Sequence, residues 1–312
     1  MRGTALVYSS HNRSPYLHDR FIVQRALHGA DNRRILFLPM SEGIQRGSEL
    51  ERQEFSFGTF DWYFRQYDRF GLEYFPFYWR STLRKEDVDQ LWHQLWSAEV
   101  VILGGGSPST GMERYKALGE QFDGEWGKFG RILHERQARG LLTVGFSAGA
   151  DQLCQHLFKR ASGGGHTDGF GLVRNVMVTL HHEPSRSGDL AHAAGTFQDQ
   201  LVFGLPNDSG LYVDQGVLPS GNHWQVIEFV VDASWDLPRD TWHVKTRHGA
   251  QIEHVSARGW HWSFGGGERL VRVQSPDGRF HEAWMTSHGR LLHYWTRQPS
   301  RFDSIEQILA SH

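Results

Sequence analysis

Five short apolar runs, each followed by a stretch long enough for a helix, organise the first half of the chain: ALVYSS (5–10), ILFLPM (35–40), LEYFPFYW (72–79), VVILGGG (100–106) and LLTVGFS (141–147). Runs this continuously apolar have no wet face, so they must be covered on both sides, and crossover helices over a parallel sheet give that cover. Segments 53–70, 85–96 and 119–139 are the predicted helices. Pro76 cannot donate to a ladder and marks the third run as an edge strand or a strand end. The expected class is therefore α/β: a mostly parallel, doubly wound sheet with flanking helices. Further on, VMVTL (176–180) is a sixth strand, a helix lies within 188–204, and GLPNDSG (204–210) is a turn between two short strands. From about Trp235 the pattern becomes near period-2 alternation broken by SPDG and SHG turns, the signature of an antiparallel β region. The predicted division is an α/β domain over 1–234 and a small β-rich extension over 235–312.

Composition removes several classes of function. A hydrophobic share of 39% in 312 residues is enough for an ordinary core. Lys+Arg at 33 against Asp+Glu at 35 gives a formal charge of -2, and no basic run is dense enough to follow a phosphate backbone, so nucleic acid is not an expected partner. No apolar run approaches the roughly 20 residues that cross a bilayer, so no membrane association is expected. The lone Cys154 has no partner for an internal disulfide, and MRGTALVYSS lacks the apolar stretch of a secretory signal; the expectation is a cytoplasmic protein. Cys154 shares a helical face with Leu153, Leu157 and Phe158 within 150–159, which makes it a core residue rather than a nucleophile.

The chemistry concentrates at VGFSAGA (144–150), where Ser147 has a glycine two residues before it and another two after. In a strand–turn–helix elbow a side chain at either position would collide with a neighbouring strand or helix, and the turn lifts the serine oxygen above the carboxyl edge of the sheet. The following helix aims its first N–H groups at the same point, and the N–H of Ala148 is placed to donate to an oxyanion. The fourth strand also ends in bare backbone, Gly104 to Gly106. Adjacent parallel strands would bring Gly105 or Gly106 beside Ser147 as a second oxyanion donor. A phosphate-binding role for GGGSPSTG fits less well, because it has neither the lysine of a P-loop nor the dinucleotide spacing. A serine needs a base, and His181 and His182 follow directly on a strand. Adjacent residues at a strand end point opposite ways, so only one of them can face the serine.

Taken in order, VVILGGG, GFSAGADQL, GFGLVRNVMVTLHHE and VFGLPNDSGLYV resemble the dipeptidase E and cyanophycinase family of serine peptidases, over roughly Ala5 to Ala233. The resemblance implies a class I glutamine amidotransferase-like fold and an exopeptidase acting on short aspartate-containing peptides or isopeptides, with no cofactor and no metal. It puts the nucleophile at Ser147 and the catalytic histidine at His182 rather than His181, with Gly105 or Gly106 and Ala148 on the oxyanion loop. Arg186 falls where related members carry an arginine suited to a substrate carboxylate, and Ser107 is assigned with it to substrate binding. The family's glutamate is replaced by Asn207, with Asp208 beside it, so the third member of the triad stays open among Asn207, Asp208 and Glu183. The tail after Trp235 has no counterpart in the family and is left to cover the site, form a homodimer or simply pack.

Two other readings stand beside this one. A catalytically inactive peptide-binding homologue would explain the missing glutamate. An esterase of the α/β-hydrolase type would use the order Ser147, Asp208, then His223 or a later histidine. The HHE triplet (181–183) offers diverging side chains and no partner spacing for a metal. His166 and Asp168, in the glycine-rich loop, are expected to be solvated loop residues.

Overall fold

The computed structural model describes residues 3–9, 17–29, 32–42, 61–158, 168–231 and 250–312. Its centre is a ten-stranded sheet of order β14-β13-β12-β9-β8-β1-β5-β4-β2-β3. The parallel part comprises β1 (Ala5–Tyr8), β2 (Arg34–Leu38), β3 (Glu73–Pro76), β4 (Val100–Leu103) and β5 (Leu142–Phe146). Strand β3 pairs only with β2 and forms the edge, as Pro76 demands.

Both faces of these strands are apolar, which is why their sequences do not alternate. Ala5, Val7, Leu36, Leu38, Val101 and Leu103 lie in one buried cluster with the helices Lys85–Ser97, Pro108–Asp123 and Lys128–Ala138. Leu6, Tyr8, Ile35, Phe37, Val100 and Ile102 lie in another with Phe21, Ile22 and Phe64. Each such side chain contributes about 1.5–3 kcal/mol when fully buried, so the register of the parallel strands is fixed from both sides.

Two helices differ from expectation. The single helix anticipated over 119–139 is two, Pro108–Asp123 and Lys128–Ala138, because Gly124 takes a left-handed φ of 68° and ends the first. The helix anticipated over 150–159 is the short Ala148–Leu153; Cys154 leaves it to form a β-bridge with Val173. The thiol is buried, as expected of a core residue, and burial pushes its pKa well up. Of the helix anticipated over 53–70, residues 53–60 lie outside the described residues.

A second sheet of order β11-β10-β7-β6 contains β6 (Val176–Leu180), β7 (Leu201–Leu205), β10 (Ile252–Val255) and β11 (His261–Phe264). Strands β6 and β7 are parallel, joined by the helix Ser187–Thr196, and β10 runs antiparallel to β7. Strands β8 (Ser209–Val217), β9 (His223–Val231), β12 (Arg269–Gln274), β13 (Phe280–Met285) and β14 (Leu291–His293) extend the large sheet in antiparallel fashion.

The C-terminal region is thus β-rich and antiparallel, with hairpins at the SPDG and SHG turns, and it ends in a helix, Ile305–Ala310, that its alternation did not announce. Its strands do not form a sheet of their own: β12 pairs with β9 along six residues and β10 pairs with β7. The expected boundary at 234/235 lies outside the described residues. Among the described residues, no helix is long and apolar enough to cross a membrane.

Candidate active site

Ser147 sits between β5 and the helix Ala148–Leu153 with φ 49° and ψ −119°, a conformation that a non-glycine residue keeps only when its surroundings enforce it. They do so through the main chain. The Ser147 N–H donates to the Tyr8 carbonyl at 3.0 Å, and the Gly149 N–H donates to the Gly104 carbonyl at 3.1 Å. The flanking glycines are contact glycines. A Cβ on Gly145 would lie 2.3 Å from the Gly149 oxygen, and one on Gly149 would lie 2.1 Å from the Leu103 oxygen. Strand, helix and neighbouring strand therefore meet main chain to main chain, and the half-buried serine is left at the carboxyl rim.

The glycine loop after β4 passes beside it. A Cβ on Gly105 would lie 3.3 Å from the Ser147 Cβ, and Gly106 has φ 122°, where a side chain is strained and would meet the Ser41 oxygen at 2.1 Å. Gly104 donates to the Leu38 carbonyl and Ser107 to the Ser41 carbonyl. Gly105 and Gly106, lying between them, donate to no carbonyl among the described residues. Ala148, first in its helix, has its N–H outside the intrahelical ladder. Ser107 itself caps the helix Pro108–Asp123, its hydroxyl oxygen accepting from the Thr110 N–H at 3.4 Å and the Thr110 hydroxyl at 3.1 Å. The hydroxyl assigned to substrate is thus engaged in holding a helix end.

The histidine that reaches Ser147 is His181, and the assignment to His182 is corrected. His181 Nε2 lies 3.2 Å from Ser147 Oγ. Its Nδ1 lies 2.7 Å from Asn207 Oδ1. With an amide oxygen at Nδ1, that nitrogen carries the hydrogen, and Nε2 presents its lone pair to the serine hydroxyl. The reason is backbone conformation. His181 follows β6 with φ 52°, and its N–H is held by Ser9 Oγ at 2.7 Å, which turns its ring to the rim. His182 resumes the ladder by donating to the Leu205 carbonyl at 2.9 Å. Its ring goes inward onto Gly204, where a Cβ would stand 2.5 Å away, and its Nε2 lies 3.0 Å from Glu253 Oε2. The two rings diverge as strand-end geometry requires, but the resemblance selected the wrong one.

The turn between β7 and β8 supplies the ring's second partner. Asn207 and Asp208 are both buried, the latter with φ 57°. Of the three candidates, Asn207 takes the position at His181 Nδ1. Asp208 instead acts on Tyr8, whose pKa is raised well above the ordinary phenol value first by burial and then by this carboxylate.

Arg186 is also corrected. Its Nη1 donates to the carbonyls of Leu180 at 3.0 Å and His181 at 3.2 Å, its Nη2 to Thr179 Oγ1 at 3.1 Å, and its Nε to Asp189 at 3.1 Å. The guanidinium is committed to the end of β6 and to the left-handed turn at His181.

Sequence reasoning missed Ser9 and Glu253. Ser9 follows β1, the parallel neighbour of β5, so strand adjacency was a usable signal for it. Glu253 lies on β10, whose antiparallel pairing with β7 is long-range and left no local mark. Ser187 Oγ donates to Glu253 at 2.7 Å; burial raises this carboxyl's pKa, but the bonds from Ser187 and His182 more than offset that and hold it below the usual value. His223, the base an esterase order would need, lies on β9 against Arg174 Nη1 rather than near Ser147. His166 lies outside the described residues, and Asp168 meets His156 Nδ1 at 3.1 Å.

No protein-family description matches the chain, and no curated protein does. Among solved structures, the chain is similar to the crystal structure of a peptidase from an acI-B1 Actinobacterium, at 17% identity and a TM-score of 0.54, over 86% of this chain and 96% of that one. Two chains this far apart in sequence share the fold: the parallel core with flanking helices and the antiparallel strands at its side.

Proposed function

We propose that the protein is a serine peptidase in which Ser147, His181 and Asn207 form the catalytic relay. The observation that carries this reading is the chain of contacts from Ser147 Oγ to His181 Nε2 at 3.2 Å and from His181 Nδ1 to Asn207 Oδ1 at 2.7 Å. In the reaction His181 Nε2 takes the serine proton as Oγ attacks the peptide carbonyl. The N–H groups of Ala148 and of Gly105 or Gly106 receive the charge that develops on the carbonyl oxygen. The imidazolium then gives its proton to the leaving amine. Water, deprotonated by the same ring, releases the acyl group and restores the serine. Asn207 orients the ring and fixes its tautomer without the stabilisation of the imidazolium that a carboxylate would add.

A likeness in fold to a peptidase and the motif resemblance to dipeptidase E and cyanophycinase favour short aspartate-containing peptides or isopeptides as substrates. The substitution of Asn207 for a carboxylate favours a second reading, an inactive peptide-binding homologue. A fluorophosphonate probe separates the two. Covalent mass on Ser147, absent in Ser147→Ala, together with hydrolysis of members of a panel of Asp-X, X-Asp and isoaspartyl dipeptides, is the expected result. An unlabelled serine in a folded protein would favour the inactive homologue.

A further inference from the structure

At the other rim of the four-stranded sheet lies a cavity of about 480 Å³, bounded by the start of β7 and by parts of β10, β12, β13 and β14. Since β6 and β7 run parallel, their amino ends stand a full strand length from His181, so the cavity is separate from the serine. Four of the polar side chains lining it hold atoms without a hydrogen-bond partner: Gln200 Oε1, His254 Nε2, Arg272 Nη1 and His281 Nε2. Folded proteins leave few such groups, so a concentration of them around one cavity points to a ligand.

Their chemistry restricts what that ligand is. His254 Nδ1 is engaged by the Val202 carbonyl at 2.8 Å, so its Nε2 presents a lone pair. Gln200 Oε1 adds a second acceptor, while Arg272 presents the N–H donors of Nη1. Arg272 Nε and Glu282 Oε1 pair with each other at 2.9 Å, and Glu282 Oε2 accepts from Trp295 Nε1. Arg272 and Arg258 balance Glu282 and Asp199 around the cavity, leaving no surplus charge to select an ion. The mouth is aromatic. Trp260, Phe280 and Trp295 are 48%, 45% and 37% exposed, and these are three of the eight large hydrophobic side chains exposed among the described residues. An aromatic rim over a floor of interleaved donors and acceptors suits a ligand with flat C–H faces and groups that both donate and accept. Hydroxyls on a ring have both properties.

We propose that this cavity binds a neutral saccharide of one or two rings, stacked on Trp260 and Trp295 with its hydroxyls on Gln200, His254 and Arg272. Its volume falls within the usual range for small-ligand sites. The proposal is independent of the peptidase reading, and Ser147→Ala is expected to bind saccharide as the parent does.

The test is saturation-transfer NMR on the full chain with glucose, galactose, mannose, N-acetylglucosamine, maltose, lactose and cellobiose, alongside an Asp-Arg dipeptide and inorganic phosphate. Transfer to the ring protons of at least one neutral sugar is expected, with affinity about tenfold weaker in Trp260→Ala, whose exposed ring can be removed without opening the core. Trp295→Phe, which keeps an aromatic face, should retain most of the binding. Transfer to none of the sugars, or to the dipeptide or phosphate alone, would overturn the proposal. So would sugar binding that persists unchanged in both Trp260→Ala and Arg272→Gln.

Discussion

The two rims of the molecule are built by opposite means. At the carboxyl rim, three of the five non-glycine residues with positive φ among the described residues, namely Ser147, His181 and Asp208, stand in or beside one site. Main-chain contacts and hydrogen bonds to main chain, one of them from Arg186 to the His181 carbonyl, enforce their positions. At the other rim, β12 and β13 hold the Arg272–Glu282 ion pair and Phe280 on regular extended backbone, with Trp260 and Trp295 in the connections beside β11 and β14. Strained backbone costs about 1–3 kcal/mol per residue and places an atom with little freedom, which suits a nucleophile and its base. Regular strands offer side chains at fixed spacing without strain, which suits recognition. Under the two proposals, chemistry falls to the tight parallel core and binding to the antiparallel addition to it.

The most severe way to break this comparison is to remove one histidine of the adjacent pair at a time. His181→Ala should reduce kcat/KM on a cleaved peptide by at least about 10³-fold while leaving the thermal midpoint near that of the parent. His182→Ala should do the reverse, lowering the midpoint because Glu253 loses its buried partner, with a smaller loss of turnover. Steady-state kinetics and calorimetry on both variants check this, and a catalytic collapse in His182→Ala alone would reassign the base.

Gly149→Ala tests whether contact, rather than flexibility, explains the elbow. Its Cβ would be 2.1 Å from the Leu103 oxygen, so either the helix or β4 must move. A loss of about 3 kcal/mol or more in denaturant unfolding is expected. A neutral result would mean that the Gly149–β4 approach is looser than described.

Arg186→Met separates a positioning residue from a substrate-binding one. If the guanidinium serves the carbonyls of Leu180 and His181, kcat should fall by about tenfold with KM nearly unchanged. A large rise in KM with kcat preserved would return Arg186 to the substrate.

The smallest effect is a pH dependence at the second rim. Burial lowers the pKa of His254 from 6.5 to about 4. Between those values the unfolded chain binds the proton and the folded chain does not, so stability is complete above about pH 6.5 and declines as pH falls toward 4. The full difference amounts to about 3 kcal/mol. His254→Phe should flatten that part of the stability profile measured by urea unfolding, and an unchanged slope would show that His254 is not the group responsible.

Much of this architecture was legible in the chain. The doubly apolar runs 100–103 and 142–146 admit hardly any arrangement but strands covered on both faces, and Gly145 and Gly149 around Ser147 announce a close turn. Local spacing also showed that only one of His181 and His182 faces the serine. Which one does so was decided by Ser9 and Leu205, which capture the two successive N–H groups from different strands. That Asn207 lies against His181 Nδ1, that Arg186 holds main chain, and that β10 and β12 join earlier strands all depend on partners far along the chain. Sequence fixes what each residue prefers within a turn or a strand. The direction in which a side chain points at a strand end depends on a few hydrogen bonds to distant backbone, and those exist only once the sheets have assembled.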